Sequence, residues 1–254
     1  MLSRIERDRI VVVLVRARNP SNIGAVARAM HDFGFRHLRV VNEFEVPFEA
    51  ARSAIDASAV LEAAGVFGGV AEAVADCSLV IGTTAVGERV LVHPLLHLPE
   101  AATAMLGHLA RAEEGSSRVA LLFGSEKTGL SNEELSYCHS LLTIPMEEQA
   151  DLRHPSMNLG QAVAVCLYEL IRQGGIEMPV TLPRGSAPAG AAEVERMVLL
   201  FDDVLERSGY KRHHPANSGQ DMVRRLVLRM GLVAADAPVW MGMLRQLLWS
   251  LTQR

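Results

Sequence analysis

Three short stretches carry residues whose types and spacing could do chemistry. Asn22-Ile-Gly-Ala-Val-Ala-Arg28 sets an arginine on the opening turns of a helix, just past an apolar strand. Ligands of parallel sheets bind at the C-terminal ends of the strands, and an arginine there can clamp a phosphate or carboxylate in a two-pronged fork. Leu121-Leu-Phe-Gly-Ser-Glu-Lys-Thr-Gly-Leu130 runs from an apolar strand through Gly124 into a polar loop centred on Glu126 and Lys127. Pro155-Ser-Met-Asn-Leu-Gly160 precedes a long amphipathic segment, where the backbone and side chain of Ser156 can line a crevice. A fourth stretch, Thr83-Thr84-Ala85, ends another strand and can offer hydroxyl and backbone groups to a cofactor.

Each stretch also has a plain structural reading. Arg28 could be a solvated residue of an amphipathic helix, Thr83-Thr84 a polar strand exit, and Ser156 a helix cap. The segment from Gly124 to Gly129 lacks Gly-Lys-[Ser/Thr], and its glycine spacing fits neither the P-loop nor the dinucleotide fingerprint. Glu126 facing a ligand would repel phosphate, which favours a neutral or cationic ligand held by backbone groups. His154, beside Arg153, reads as a solvated loop histidine with no partner at metal-binding spacing, and His213-His214 lies in a different region.

The elements that must position these residues alternate along the chain. Ile10 to Val15, His37 to Val41, Cys77 to Gly82, Arg118 to Phe123 and Leu141 to Ile144 read as five strands, apolar throughout as in a parallel sheet covered on both faces. Helices are expected from Ser21 or Asn22 to Phe33 with Gly34 as the stop, over Ala50 to Ala64, Val70 to Ala75, Ala101 to Ala112, Ser131 to Cys138 and Asn158 to Gln173. Ser131 and Glu134 have the spacing of a capping box. Arg89 to Pro99 reads as irregular. The pattern predicts an α/β domain over 1–173, a Gly/Pro-rich linker over 174–192, and a helical unit over 193–254. In that unit Glu193 to Arg207, Gly219 to Leu232 and Asp236 to Leu251 have helical periodicity. Val194, Met197, Val198, Phe201, Val204 and Leu205 share one face, as do Met222, Leu226, Val227 and Met230; Trp240, Met243, Leu244, Leu247, Leu248 and Trp249 mark the last helix. A unit so small is expected to dock on the main domain or on a partner subunit.

Composition narrows the class. The 254 residues are 49% hydrophobic and 21% charged, ordinary for a globular chain with a real core. No apolar run is long enough to cross a bilayer and the charged N-terminus lacks a leader's apolar stretch, so a cytoplasmic protein without membrane contact is expected. Three isolated cysteines, Cys77, Cys138 and Cys166, read as small core residues. The net charge of −4 excludes a uniformly basic nucleic-acid binder. Even so, Arg4, Arg7, Arg9, Arg16, Arg18, Arg28, Arg36 and Arg39 outnumber the acids of the first forty residues and form a candidate phosphate-facing surface.

Taken together, the motifs resemble those of SPOUT-class RNA 2′-O-ribose methyltransferases. Asn22 to Ala29 resembles the first motif, Leu122 to Leu130 the second, and Ile144-Pro145 followed by Ser156-Met-Asn-Leu159 the third. The helical tail, with Arg224-Arg225-Leu226 and its tryptophan-containing end, is similar to the extension of the TrmJ-type tRNA methyltransferases, which modify the ribose of residue 32 in the anticodon loop. The resemblance implies an α/β sheet closed by a C-terminal trefoil knot, a topology that pattern reading alone would not propose. It implies S-adenosyl-L-methionine as cofactor, held by Thr83, Thr84, Ala85, Gly124, Ile144, Pro155, Ser156 and Met157. It also implies a homodimer, a tRNA substrate and no metal. Arg28 is then the catalytic candidate, with Asn22, Glu126, Ser156 and Asn158 ordering the motifs around it. Three other readings remain: a 2′-O-methyltransferase of ribosomal RNA, a knotted RNA-binding module without catalysis, and a doubly wound nucleotide enzyme. The missing Gly-x-Gly-x-x-Gly argues against the last.

Overall fold

Six consecutive residues of the first strand, β1 (Ile10–Val15), are buried at 1% exposure or less, so the strand sits at the centre of its sheet with both faces covered. Alternate side chains serve two cores: Ile10, Val12 and Leu14 join one, Val11, Val13 and Val15 the other. The computed structural model describes residues 2–42, 58–85, 92–111, 117–146, 157–174 and 187–253.

Around β1 the described chain runs α1 (Arg4–Arg7), β1, α2 (Pro20–Phe33), β2 (His37–Val41), α3 (Ser58–Glu62), β3 (Gly65–Phe67), α4 (Val70–Ala73), β4 (Cys77–Thr83), β5 (Leu95–His97) and α5 (Leu98–Arg111). It continues through β6 (Arg118–Phe123), α6 (Asn132–Leu135), β7 (Ser140–Thr143), α7 (Leu159–Gln173), α8 (Ala191–Arg207), α9 (Tyr210–His213), a 3-10 turn (Pro215–Asn217), α10 (Gln220–Arg229) and α11 (Ala237–Thr252). The seven strands form one sheet in the order β3-β2-β1-β6-β4-β7-β5, and every described pairing is parallel. α2, α5 and α7 cover one face, while α4 and α6 lie on the other. α2 and α7 approach closely because Gly160 has no side chain: a Cβ there would stand 2.6 Å from that of Ala25.

Several expectations need correction. The sheet has seven strands rather than five. β3 and β5 are three-residue pieces too short to show a period, and β5 lies inside the stretch expected to be irregular. α2 is capped by Asn19, not by Ser21 or Asn22. The Asn19 side chain accepts from the Ser21 N–H, and Pro20, with its fixed φ, opens the first turn. Gly34 stops the helix at φ 76°, as expected. The capping box of Ser131 and Glu134 is present, but α6 is a single turn, just past which the Ser136 hydroxyl donates to the Glu133 carbonyl. Asn158, not Ser156, caps α7. Of the expected helix from Ala50 to Ala64, Ser58–Glu62 is helical and 50–57 lie outside the described residues.

The tail packs on the main domain. α8, α10 and α11 share a core of Val194, Met197, Val198, Val223, Val227, Met241 and Leu244. The Ala192 N–H donates to the Ala75 carbonyl at 3.0 Å. α10 is rotated from the expected face: Val223 and Val227 are buried, whereas Leu226 and Met230 are 50% and 41% exposed. The cause is Arg224, which the helix turns inward to charged and aromatic partners on α8 and beyond α6. On α11 only Leu244 of the six apolar residues singled out is buried; Trp240, Met243, Leu247 and Trp249 face outward.

Three of the eight arginines expected on a basic N-terminal surface are tied into the fold, while Arg4, Arg18, Arg28 and Arg36 are exposed. Arg9 is buried and donates to the carbonyls of Ser117 and Leu109. Arg39 forks onto Asp76, and Arg16 onto Glu134. These guanidiniums bind parts of the fold together instead of facing phosphate. The three cysteines are buried, free core thiols.

Under α5, His108 is 7% exposed and its Nε2 lies 2.7 Å from the Ser78 hydroxyl, which also meets that of Ser117. Burial, reinforced by His139, Arg111 and Arg9, lowers its pKa to about 4. Above the ordinary histidine value of 6.5 both folded and unfolded chains hold a neutral ring, and this contribution is fully present. As pH falls from 6.5 to about 4 only the unfolded chain takes up the proton, so stability drops by about 1.4 kcal/mol per pH unit. Burial also lowers His139 to about 4, so it adds a slope of the same sign, and urea unfolding at stepped pH is expected to show His108→Gln reducing the slope by about 1.4 kcal/mol per pH unit without abolishing it.

Candidate active site

The C-terminal ends of β4, β6 and β7 and the opening turns of α2 and α7 enclose one cleft of about 650 Å³. Each wall follows from a local cause. After β6 the chain turns sharply at Gly124, where a Cβ would lie 2.1 Å from the carbonyl carbon of Gly129; only glycine lets the loop close on itself. The Gly129 N–H donates to the Ser125 carbonyl at 2.8 Å, and Gly129 turns the chain at φ 65° into the capped α6. From β4, the Thr83 hydroxyl donates to the Leu122 carbonyl, and the Thr84 N–H donates to the Leu142 carbonyl. Past β7, Ile144 and Met146 form an apolar wall that Met157, Leu159 and Ala162 continue at the start of α7.

Two amides stitch the mouth of the cleft. Asn158 accepts from the N–H groups of Gly160 and Gln161 at 3.0 and 3.4 Å, and its own Nδ2 donates to Asn22 Oδ1 at 3.0 Å. Asn22 Nδ2 in turn donates to Glu126 Oε1 at 2.9 Å. Every donor in this chain points toward the carboxylate, so the relay runs from a helix N-terminus to an anion. It joins the three stretches that the sequence marked out.

Arg16 fixes the loop from the side. Its guanidinium forks onto the Glu134 carboxylate at 2.6 and 3.0 Å and donates to the Gly129 carbonyl at 3.0 Å. It is the one non-glycine residue at positive φ among the described residues, at 57°, a conformation that costs about 1–3 kcal/mol and persists only where neighbours enforce it. Burial opposes charge on Glu134, yet the bonds from Arg16 and Ser131 hold its carboxyl below the usual range. Sequence reasoning grouped Arg16 with a phosphate-facing surface and missed this tie. Its place one residue past β1, level with the loop after β6, was the available signal.

Of the expected site residues, Thr83, Thr84, Ala85, Gly124, Ile144 and Met157 line the cleft, together with Asn22, Glu126 and Asn158. Pro155 and Ser156 lie outside the described residues, as do Arg153 and His154. Arg28 is exposed on α2, six residues beyond Asn22, and is not part of the cleft lining. Phe123, Leu142, Met146, Leu159 and Ala162 add apolar surface that the motifs did not single out. Glu126 and Lys127 are the charged residues of the described lining. Among the described residues no group of three or more His, Cys, Asp or Glu side chains is arranged to hold a metal. No described helix is long and apolar enough to cross a membrane.

Comparison with known proteins points one way. Residues 9–168 match the model of the SpoU rRNA Methylase family. The chain is 33% identical over 239 residues to the tRNA (cytidine/uridine-2′-O-)-methyltransferase TrmJ of Sodalis glossinidius (strain morsitans), covering 92% of this chain and 89% of that protein. It is 42% identical over 164 residues to the tRNA (cytidine/uridine/adenosine-2′-O-)-methyltransferase TrmJ of Pseudomonas aeruginosa (strain UCBPP-PA14), covering 64% and 60%. The crystal structure of TrmJ from Z. mobilis ZM4 superposes with a TM-score of 0.75 at 29% identity, over 93% of this chain and 98% of that one.

The relay makes a specific demand on Asn22, which both donates and accepts. Asn22→Ala removes both bonds and is expected to lower stability by about 1–2 kcal/mol in urea unfolding. Glu126→Gln, which keeps an acceptor oxygen, is expected to cost less.

Proposed function

Because the chain belongs to the SpoU rRNA Methylase family, we propose that it is an S-adenosylmethionine-dependent tRNA 2′-O-ribose methyltransferase acting on cytidine or uridine 32 of the anticodon loop. The observation that carries this reading is the relay from Asn158 through Asn22 to Glu126, which brings the three motifs to one cleft. The tRNA substrate rests on the relatives, whose names give tRNA 2′-O-methylation. We further propose a cytoplasmic homodimer whose sheet is closed by a C-terminal trefoil knot.

The cleft suits the donor. A volume of about 650 Å³ lies in the range of sites that enclose a molecule of this size. Leu142, Ile144, Met157 and Leu159 offer apolar surface for a flat base, while Thr84 and the backbone of the Gly124 loop offer polar groups for hydroxyls and the amino-acid end. Bound there, S-adenosylmethionine would supply a methyl group already activated on a sulfonium. With the donor so activated, much of the protein's work is positioning the ribose hydroxyl.

Arg28 is the proposed catalytic residue. A guanidinium is too basic to accept a proton at neutral pH. Its role is to hold a backbone phosphate of the RNA, which takes the proton from the 2′-hydroxyl, and to offset the negative charge that develops on that oxygen. Its exposure supports this: although it does not line the cleft, it makes no ion pair among the described residues, so its fork is open to a phosphate. Asn22, Glu126, Ser156 and Asn158 are proposed to hold the motifs, and with them Arg28, in register.

Incubation of the purified protein with bulk tRNA and methyl-labelled donor, followed by nucleoside mapping, is expected to place the label on the ribose of residue 32. Label in ribosomal RNA and none in tRNA would move the substrate elsewhere. Arg28→Ala is expected to bind S-adenosylmethionine normally in calorimetry while methyl transfer falls about 10²-fold or more. Loss of both, or of neither, would remove Arg28 from the reaction.

A further inference from the structure

The short helix α6 is gripped from both ends by arginines that come from different parts of the molecule. At its N-terminal side Arg16 holds Glu134 and the Gly129 carbonyl. Just past its C-terminal end sits Arg224, from α10 of the tail. Arg224 is 5% exposed, an unusual place for a charge unless every donor is used. Its Nε and Nη2 fork onto the Glu195 carboxylate of α8, each at 2.9 Å. Its Nη1 donates to the hydroxyl of Ser136, a fully buried residue, at 3.0 Å. The guanidinium plane centres 4.0 Å from the ring centroid of Tyr137, within cation–π range.

Ser136 and Tyr137 follow α6 directly, and α6 follows the loop from Gly124 to Leu130 that forms one wall of the cleft. Ser136 is itself locked by donating to Glu133. Any motion of the tail against the sheet therefore acts, through Arg224, on the base of that loop.

We propose that Arg224 is a positioning residue for the donor cleft, coupling the helical tail to the Gly124–Leu130 loop, so that the tail helps set the loop's shape. This rests on the methyl-donor reading of the cleft. The coupling acts on donor affinity rather than on the reacting atoms, since Arg224 does not line the cleft.

The test uses the full chain with Arg224→Met, which keeps apolar packing over Tyr137, Arg224→Lys, which keeps the charge, and Glu195→Gln. Amide exchange in ligand-free protein is read at Gly129, whose N–H bonds to Ser125 across the loop. Arg224→Met is expected to raise that exchange about 10-fold, within the usual span of coupling between distant sites, and to leave the amides of β1 unchanged. It is also expected to weaken S-adenosylmethionine binding by a similar factor in calorimetry, raising KM for the donor while kcat at saturation is retained. Arg224→Lys is expected to recover part of both effects. Unchanged exchange at Gly129, even alongside a lower Tm or loosening confined to Ser136, would overturn the proposal. Should Arg224→Met fail to fold, Glu195→Gln is read the same way and is expected to give a smaller shift in the same direction. A wild-type protein that does not bind the donor would sink the methyl-donor reading, while exchange at Gly129 would still decide the coupling.

Discussion

Three segments, the first more than a hundred residues from the other two, meet at one place because two side-chain amides can each donate and accept at once. An aspartate at position 22 or 158 could accept but not donate, and a leucine could do neither. Polar contacts of this kind contribute only about 0.5–1.5 kcal/mol each, so the relay does not create the fold. The buried strands bring the segments near one another, and the amides then fix their mutual register. The same division holds around the rest of the cleft. Apolar packing places Gly124 beside Gly129, and hydrogen bonds from Arg16 settle which way the loop faces.

Arginine is the molecule's fastener. Arg9 holds β6 to the end of α5, Arg39 holds β2 to the residue before β4, Arg16 holds β1 to the cleft loop, and Arg224 holds the tail to the turn after α6. Each uses the planar fork to satisfy two or more acceptors, which a lysine could not match. With only two lysines in the chain, an excess of arginine near the N-terminus looks from composition like a nucleic-acid surface. Three of the eight there, Arg9, Arg16 and Arg39, are spent inside the fold. Arg28, exposed and without an ion pair among the described residues, is the contrast.

How much could be read in advance depended on whether a residue's environment is set locally. The strands β1, β2 and β6 lie at the boundaries expected: β1 and β6 are near-continuous apolar runs buried on both faces, and β2, with His37 and Arg39 among its apolar residues, is short and bounded by Gly34 and Asn42. The capping box at Ser131 is a local device and was equally legible. β3 and β5 were not, because three residues at a sheet edge carry no period of their own. The face of α10 was misread because a buried Arg224 overrides the apolar pattern, and its partners on α8 and beyond α6 are invisible along the sequence. Within the cleft, the three motifs were legible as a set, yet the relay linking them was not. Which asparagine donates to which depends on a side-by-side placement of α2 and α7 that nothing in either segment specifies.

β6 lies between β1 and β4 in the sheet, but it follows both in the chain by a wide margin. As the polypeptide emerges from the ribosome, β1 already has β2 on one flank while its other flank stays open. At about 5–20 residues per second the missing neighbour arrives only after roughly 5–20 s. Throughout that interval β1 presents one bare, strongly apolar edge, and once residues 77–83 are made β4 adds a second, the kind of template on which other chains can pair. The sheet's central position for its late strand thus ties the ripening of the whole domain to the pace of translation, and makes the half-made chain a natural client for the cell's folding helpers.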